Sequence, residues 1–156
     1  MQDVAIEIMA TFLIWILYAG LVVLWFIDGK IKKEQVIHAI AAGLLAWVIT
    51  YIVKYIFQTD RPFEINGREA DVLIIPKDPA FPSSHTALAF SLAVTIYMHD
   101  RKIGRWYIIG ALIIGIARIL ANVHYPLDIV GGAFIGTMIA VVLEKTHMFN
   151  LLSKKK

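Results

Sequence analysis

The amino-acid sequence predicts an all-α membrane protein, a bundle of about five transmembrane helices forming a single membrane-embedded domain. Of its 156 residues, 59% are hydrophobic and only 17% are charged, and the mean hydropathy is +0.71. A soluble domain has about half apolar and about a quarter charged residues. The apolar residues also gather in runs close to the roughly 20 residues that a helix needs to cross about 30 Å of hydrocarbon. Composition and run length together indicate a polytopic membrane protein.

The first two runs are separated from the rest by a polar segment. Residues 8–27 form an uncharged run preceded by acidic residues. A cleaved signal peptide has a basic amino end and a shorter apolar core, so this run is interpreted as a retained spanning helix. Residues 35–57 form the second run, which is apolar except near its ends. Residues 58–79 contain three prolines and a glycine and are predicted to form a loop.

Three further helices are predicted after this loop. They cover residues 81–98, 106–121 and 126–143, and the last begins at a proline. The fourth predicted helix carries Arg118 close to its end, and the fifth carries Asp128 close to its start. These two charged residues therefore flank the short link between the last two helices.

The basic residues predict an orientation. With five spans, ten of the fifteen Lys and Arg residues lie on the face that includes the carboxyl terminus. Because cytoplasmic loops are enriched in Lys and Arg, the carboxyl terminus is expected in the cytoplasm and the amino terminus outside. A net charge of +3 and a pI near 9.2 also occur in nucleic-acid-binding proteins. Here the basic residues stand between apolar runs, so no nucleic-acid partner is expected.

Three cations lie on the predicted outer face. Lys54 and Arg61 are seven residues apart, and Arg118 joins them from the fourth helix. An ionisable side chain in a bilayer costs about 2.5 to 3.5 kcal/mol on insertion scales, so such residues mark function or pairing. Taken singly, Lys54 could extend to the interface and Arg118 could cap its helix. Together, without matching acids nearby, they suggest a phosphate ligand. The acids of the 58–79 loop are interpreted as solvated.

The segment PSSH, residues 82–85, predicts a second kind of phosphate ligand. If Pro82 is the first helical residue, the backbone N–H groups of Ser83 and Ser84 lack intrahelical partners. They would then face outward at the positive end of the helix dipole, where anions bind. The same segment also reads as an ordinary helix start without function.

Two histidines supply reactivity to this face. Asp128 lies four residues after His124 and two after the proline that begins the last helix, so it can reach back to the imidazole. A carboxylate that holds one ring nitrogen protonated leaves the other free to attack phosphorus. His124 is therefore assigned as the nucleophile. His85 has no such acid beside it and is assigned as the general acid. The other histidines, His38, His99 and His147, are interpreted as ordinary interfacial residues.

Three segments resemble the signature of a known family. KYIFQTDRP (54–62), PSSH (82–85) and ARILANVHYPLD (117–128) resemble the three motifs of the type 2 phosphatidic acid phosphatase superfamily of integral membrane lipid phosphatases. The resemblance implies the following roles: Lys54, Arg61 and Arg118 bind phosphate, Ser83 and the Ser84 backbone assist, His85 is the acid, and His124 forms a phosphohistidine oriented by Asp128. It also implies that no metal cofactor is needed.

The sequence departs from that family's pattern in two places. Ser84 stands where the family usually has glycine, and Ala117 stands where it usually has serine. A serine still offers its backbone N–H, whereas Ala117 removes one hydroxyl ligand. Many relatives have six spanning helices, and the helix without a counterpart here is expected to be the first. Gly132 and Gly136, four residues apart, are expected to mark a close helix contact.

The resemblance implies a lipid phosphate or diphosphate as substrate, and the predicted orientation places its hydrolysis at the outer leaflet of a bacterial cell membrane. Undecaprenyl diphosphate, cleaved to undecaprenyl phosphate, is the first expectation. Phosphatidylglycerophosphate and lipid A phosphatases, and a lipid phosphotransferase, are alternatives with the same chemistry. A catalytically silent scaffold would have a broken signature, and related haloperoxidases are soluble. The sequence leaves the oligomeric state open.

Overall fold

The computed structural model describes the backbone of residues 4–27 and 30–153, and the side chains of residues 4–27 and 33–146. The basic tail at residues 154–156 lies outside the described residues. The described chain is helical without strands, which confirms the predicted fold class. In order, the helices are α1 (Val4–Thr11), α2 (Leu13–Ile27), α3 (Lys30–Phe57), α4 (Pro62–Asn66), α5 (Ser84–His99), α6 (Arg101–Leu120) and α7 (Pro126–Ser153).

Three to four of these units are long and apolar enough to cross a membrane. The segments Lys33–Asn66, Arg101–Leu120 and Pro126–Thr146 qualify among the described residues, and α1 with α2 makes a fourth if the bent pair is one span. The remaining predicted span corresponds to α5, which has only 16 residues. It packs against α3, α6 and α7, so the predicted span that the structure shortens to 16 residues lies at the centre of the bundle.

The first predicted span is bent, which corrects the expectation of one continuous helix. The chain breaks between α1 and α2 at Phe12, where the two axes differ by 47°. The carbonyl of Ala10, just before the bend, accepts a hydrogen bond of 3.2 Å from Nη1 of Arg118. A side chain that enters the helical hydrogen-bond ladder is a known cause of kinks. The bend therefore has a partner 108 residues away in the sequence.

Glycines on α7 let it approach α5 closely, as the sequence predicts. A Cβ atom on Gly132 would lie 2.4 Å from the carbonyl oxygen of Ser83, and one on Gly136 would lie 2.2 Å from that of Ala87. A larger residue at either position would push the two helices apart. This contact sets the start of α7 against the start of α5.

The core of the bundle is apolar, and so is much of its surface. Leu21, Leu92 and Ile114 are almost fully buried between α2, α5 and α6. Large apolar side chains such as Trp106 and Phe134 are nevertheless 74% and 66% exposed. Extensive exposed apolar surface is unusual for a soluble monomer and fits a helix bundle whose solvent is lipid.

Candidate active site

All eight residues that the sequence nominates lie at one end of the bundle. The end of α3, the start of α4, the start of α5, the end of α6 and the start of α7 meet there. The eight side chains are those of Lys54, Arg61, Ser83, Ser84, His85, Arg118, His124 and Asp128. Several of them are charged and yet almost inaccessible: Arg61 is 2%, Lys54 3% and Asp128 3% exposed. Buried charges at such density require specific partners.

Arg61 joins the loop to the α6–α7 link. It is the N-cap residue of α4, and its backbone N–H donates to Oε2 of Glu64 at 2.6 Å. Its Nη1 donates to the carbonyl of Val123 at 2.8 Å and lies 3.2 Å from Nε2 of His124. The guanidinium fork is thus held in one orientation, with the imidazole of His124 within hydrogen-bond distance.

His124 lies between Arg61 and Asp128. Nδ1 of His124 is 3.2 Å from Oδ2 of Asp128, and the same oxygen accepts the backbone N–H of Tyr125 at 2.8 Å. A guanidinium only donates hydrogen bonds and an ionised carboxylate only accepts them. Both contacts are satisfied when Nδ1 carries the proton and Nε2 presents its lone pair. The geometry therefore selects the tautomer that the sequence analysis predicts.

The electrostatic surroundings keep that imidazole neutral. Burial lowers the pKa of His124 well below its usual value, and the positive charges of Arg118, Arg61 and Lys54 lower the pKa further. His124 lies in the link between α6 and α7 rather than in a span. A neutral imidazole with a free lone pair is the form that can act as a nucleophile.

Asp78 is a member of the site that sequence reasoning missed. Its Oδ1 lies 2.9 Å from Nη2 of Arg61, and its Oδ2 lies 3.1 Å from Nζ of Lys54, which also donates to the carbonyl of Pro79. Burial raises the pKa of Asp78, but attraction to Lys54 and Arg61 outweighs it, and the net pKa is below the usual value. The interpretation of all the loop acids as merely solvated is therefore wrong for Asp78.

The start of α5 differs in register from the prediction. The helix begins at Ser84, and Ser83 is its N-cap, so Pro82 is not the first helical residue. The Oγ of Ser83 accepts the backbone N–H of Thr86 at 3.4 Å, and the backbone N–H of Ser83 donates to the carbonyl of Asp128 at 3.0 Å. The backbone N–H of Ser83 is thus used by α7, whereas its hydroxyl accepts hydrogen bonds from Thr86 and keeps its own O–H as a donor.

The next two N–H groups are the ones available for an anion. Those of Ser84 and His85 lie in the first turn of α5, where the helix itself supplies no acceptor. The hydroxyl of Ser84 accepts a hydrogen bond of 3.2 Å from Oγ1 of Thr50 on α3. The candidate anion seat therefore consists of the N–H groups of Ser84 and His85, one residue further toward the carboxyl end than the sequence predicts.

Arg118 and His85 complete the site with unused hydrogen-bonding capacity. Nη1 of Arg118 donates to Ala10, while its buried Nε has no partner among the described residues. The His85 imidazole lies close enough to Arg118, His124 and Arg61 to interact with them electrostatically. Nε of Arg118 and the first-turn N–H groups of Ser84 and His85 are therefore donors of the same cluster.

Two cavities adjoin this cluster, and they differ in chemistry. One, of about 340 Å³, is lined by polar groups of the loop, including Asp78, Lys77 and Glu64. The other, of about 320 Å³, reaches Asp128 and is otherwise lined mainly by aromatic and aliphatic side chains. These are Phe57, Phe81, Tyr125 and Leu127, and Thr59 also lines the cavity. A ligand with a charged head and an apolar chain matches this pair of environments.

The fold and the site define a polytopic helical membrane protein with a buried cluster of cations and histidines suited to a phosphate group. The profile of the PAP2 superfamily matches residues 35–151, which contain all eight nominated residues. The chain belongs to the PAP2 superfamily and, with its named relatives, to the membrane lipid phosphatases of that family. The resemblance stated from three short motifs thus extends over most of the chain.

Named relatives lie in the same family. The chain is 30% identical over 141 residues to the bacitracin transport permease protein BcrC of Bacillus licheniformis, covering 90% of this chain and 70% of the relative. It is 29% identical to the undecaprenyl-diphosphatase BcrC of Bacillus subtilis strain 168, covering 76% of this chain and 61% of that protein. The crystal structure of Aquifex aeolicus LpxE superposes with a TM-score of 0.67 at 30% identity, covering 84% of this chain and 77% of that one.

Proposed function

We propose that the chain hydrolyses undecaprenyl diphosphate to undecaprenyl phosphate through a phosphohistidine on His124. The observation that carries the proposal is the geometry of His124, whose two ring nitrogens face Asp128 at 3.2 Å and Arg61 at 3.2 Å. Asp128 fixes the proton on Nδ1. Arg61 can move its hydrogen bond from Nε2 to a bound phosphate. This leaves Nε2 directed toward the phosphorus.

In the first step, Nε2 of His124 attacks the terminal phosphorus of the substrate. A bond forms between nitrogen and phosphorus while the bond to the bridging oxygen breaks, and the lipid phosphate leaves. His85 donates a proton to that oxygen, and Asp128 stabilises the positive charge that develops on the His124 ring. Negative charge on the phosphoryl oxygens is stabilised by the cations, which are Lys54, Arg61 and Arg118.

In the second step, water attacks the phosphohistidine. His85, now deprotonated, accepts a proton from this water, since the group that acts as acid in one direction acts as base in the other. The nitrogen–phosphorus bond breaks, inorganic phosphate is released, and the His124 side chain returns to its neutral form. The first-turn N–H groups of α5 and the unpaired Nε of Arg118 support this step, because both can donate to the phosphate as it forms.

Fixed cations replace a metal in this mechanism. A divalent ion would serve to neutralise the phosphoryl oxygens and polarise the phosphorus. Lys54, Arg61 and Arg118 provide three positive charges at the same place, and all three are buried. The proposed hydrolysis is therefore independent of metal ions.

A lipid substrate is supported by the apolar cavity that reaches Asp128. A prenyl or acyl chain can lie among Phe57, Phe81 and Leu127 while the charged head contacts the cations. Undecaprenyl diphosphate is preferred because the relative from Bacillus subtilis is an undecaprenyl-diphosphatase. The chain spans about six-tenths of that protein's length, so its substrate is carried over as a proposal.

The experiment is a phosphate-release panel with protein purified in detergent. Undecaprenyl diphosphate, phosphatidylglycerophosphate and lipid A 1-phosphate are offered at equal surface concentration, and the released phosphate and the lipid product are both measured. We expect undecaprenyl diphosphate to give the largest kcat/KM. A larger value for either other lipid would overturn the substrate assignment. Transfer of the phosphoryl group to a lipid hydroxyl, without release of phosphate, would make the protein a phosphotransferase.

The site is proposed to open on the outer side of a bacterial cell membrane, with the carboxyl terminus in the cytoplasm. The chain has no cysteine, so single cysteines can be introduced without background. Lys77→Cys in the loop beside the site should react with an impermeant maleimide in intact cells. Arg105→Cys, in the first turns of α6 on the opposite face, should react only after the cells are opened. The reverse pattern would contradict the orientation.

A further inference from the structure

A second cluster of ionisable side chains lies at the opposite end of the bundle. It consists of His38 near the start of α3, His99 at the end of α5 and Glu144 in the last third of α7. The same three helices carry the candidate active site at their other ends. At 1.5 Å per residue, the two clusters are about 20 to 24 Å apart along the helices. The interpretation of His38 and His99 as ordinary interfacial residues is therefore incomplete.

The three side chains converge within ligand distance of one another. Nδ1 of His38 lies 3.0 Å from Oε1 of Glu144, and Nε2 of His99 lies 3.6 Å from Oε2 of the same carboxylate. One ligand atom from each residue fits within a group whose members are at most 4.8 Å apart. Two ligands bound tetrahedrally at about 2.0 to 2.1 Å from a zinc ion are about 3.4 Å apart. The His38–Glu144 and His99–Glu144 distances, 3.0 and 3.6 Å, lie on either side of that value and involve the two different oxygens of the carboxylate.

The hydrogen bond on the far side of His99 fixes its tautomer. Nδ1 of His99 lies 3.0 Å from the carbonyl of Thr95, and a carbonyl oxygen only accepts. The neutral ring therefore carries its proton on Nδ1 and directs the lone pair of Nε2 toward Glu144. A backbone carbonyl bound to the second ring nitrogen is the usual support of a metal-binding histidine.

Nε2 of His99 and the carboxylate of Glu144 are thus two acceptors that face each other. Glu144 is only 4% exposed, and its ion pairs among the described side chains are with these two histidines. No lysine or arginine in the described part of the chain forms an ion pair with it, in contrast to Asp78 at the other end. A buried carboxylate and a facing lone pair are stabilised by a cation placed between them.

We propose that His38, His99 and Glu144 bind a divalent first-row metal ion, for which zinc is the natural probe. Two imidazoles and one carboxylate form a ligand set that suits zinc, with water as the fourth ligand. Such an ion would tie α3, α5 and α7 together at the end away from the chemistry. Its role would be to brace the helices that position Lys54, His85 and Asp128, not to take part in phosphoryl transfer.

The test measures zinc binding and thermal stability on the full chain in detergent, purified with an affinity tag that contains no histidine. Protein stripped with a chelator and dialysed at pH 7.5 is titrated with zinc chloride. Bound metal is measured by mass spectrometry, and unfolding is followed by tryptophan fluorescence. We expect one zinc ion per chain, and a Tm increase of about 5 to 10 °C at a hundredfold excess over the Kd.

Matched variants separate this site from other histidines. Glu144→Gln keeps the size of the side chain but removes the charge, and His99→Ala removes one ligand. Both should lose the bound zinc and the Tm increase, whereas His124→Ala, which removes a histidine at the other end, should keep both. If His99→Ala does not fold, Glu144→Gln alone decides the result.

Two outcomes would overturn the proposal. In one, the wild-type chain retains no zinc, or Glu144→Gln retains as much as the wild type. In the other, zinc has no effect but the Tm of the wild type, unlike that of Glu144→Gln, rises as the pH falls from 8 to 6. The second result would show that a proton, not a metal ion, is shared between the histidines and Glu144.

Discussion

The two ends of the bundle hold similar side chains with different charged neighbours. Each end has two histidines and one almost fully buried carboxylate: His85, His124 and Asp128 at one end, and His38, His99 and Glu144 at the other. They differ in the fixed cations. Lys54, Arg61 and Arg118 surround the first group, while the ion pairs of Glu144 within the described residues are with histidines only.

The neighbours decide what a histidine pair can bind. Where guanidinium and ammonium groups are close, a second cation is repelled and an anion is attracted, so the site suits phosphate. Where a buried carboxylate is the main partner, the site attracts a cation. The same three helices thus carry a proposed anion site at one end and a proposed cation site at the other. Histidine substitutions should therefore reduce phosphate turnover at the first end, and metal binding and thermal stability at the other.

The largest expected effect is the loss of turnover in His124→Ala. Without the imidazole no phosphohistidine can form, and activity should fall by at least about 10³-fold. His99→Ala is the matched variant at the other end and should keep kcat within about twofold when assayed below its Tm. Phosphate release from undecaprenyl diphosphate measures both. Substantial activity in His124→Ala would exclude it as the nucleophile.

Asp128→Asn should have the next largest effect. An amide can donate to Nδ1 of His124, which would favour the tautomer with the proton on Nε2 and block its attack. Loss of roughly 10² to 10⁴ in kcat is expected, with little change in KM. The matched variant Glu144→Gln should keep kcat but unfold at a lower temperature. Equal losses of kcat in the two variants would mean that both carboxylates act through folding, and the comparison between the ends would fail.

Chelation should affect the two ends differently, because activity reports on the proposed active site and the Tm reports on the proposed metal site. In excess EDTA, the initial rate of phosphate release at 25 °C should stay within about twofold, because cations replace the metal at the proposed active site. The Tm should fall by about 5 to 10 °C as the zinc ion is removed from the other end. A loss of activity that a divalent ion restores, in Glu144→Gln as well as in the wild type, would overturn the metal-free mechanism.

Local patterns in the sequence predicted much of this architecture. The five apolar runs correspond to helical units, and the last run begins at Pro126 as expected. The pairing of His124 with Asp128 was predictable because the two residues are only four apart, at the start of a helix. The contact through Gly132 and Gly136 is confirmed for the same kind of reason. The catalytic roles of these residues remain predictions.

Features that depend on the path of the chain were not predictable. The bend at Phe12 lies beside a hydrogen bond from Arg118, 108 residues from Ala10, and the pairing of His38 with Glu144 joins residues 106 apart. Nothing in the loop sequence distinguishes Asp78 from its other acids, since its pairing depends on how the loop folds over α3. The register of α5, in contrast, was predictable, because serine is a preferred N-cap residue and Ser83 occupies that position.

The smallest expected effect belongs to Asp78→Asn. Asp78 is 47% exposed and pairs with Lys54 and Arg61, so it competes with phosphate for the same cations. Partly exposed ion pairs contribute about 0 to 1 kcal/mol, so inorganic phosphate should inhibit the variant about two- to fivefold more strongly. Asp60→Asn, in the same loop, is the control and should leave the inhibition constant unchanged.

The lowered pKa of Asp78 predicts how this difference in phosphate inhibition depends on pH. Because the pKa of Asp78 is lowered by Lys54 and Arg61, its carboxylate stays ionised throughout the neutral range, and the difference between wild type and Asp78→Asn should be constant there. It should disappear only in acid, as the wild-type carboxyl becomes protonated and releases the cations. Weaker inhibition by phosphate in Asp78→Asn would show instead that Asp78 holds Lys54 and Arg61 in their binding positions.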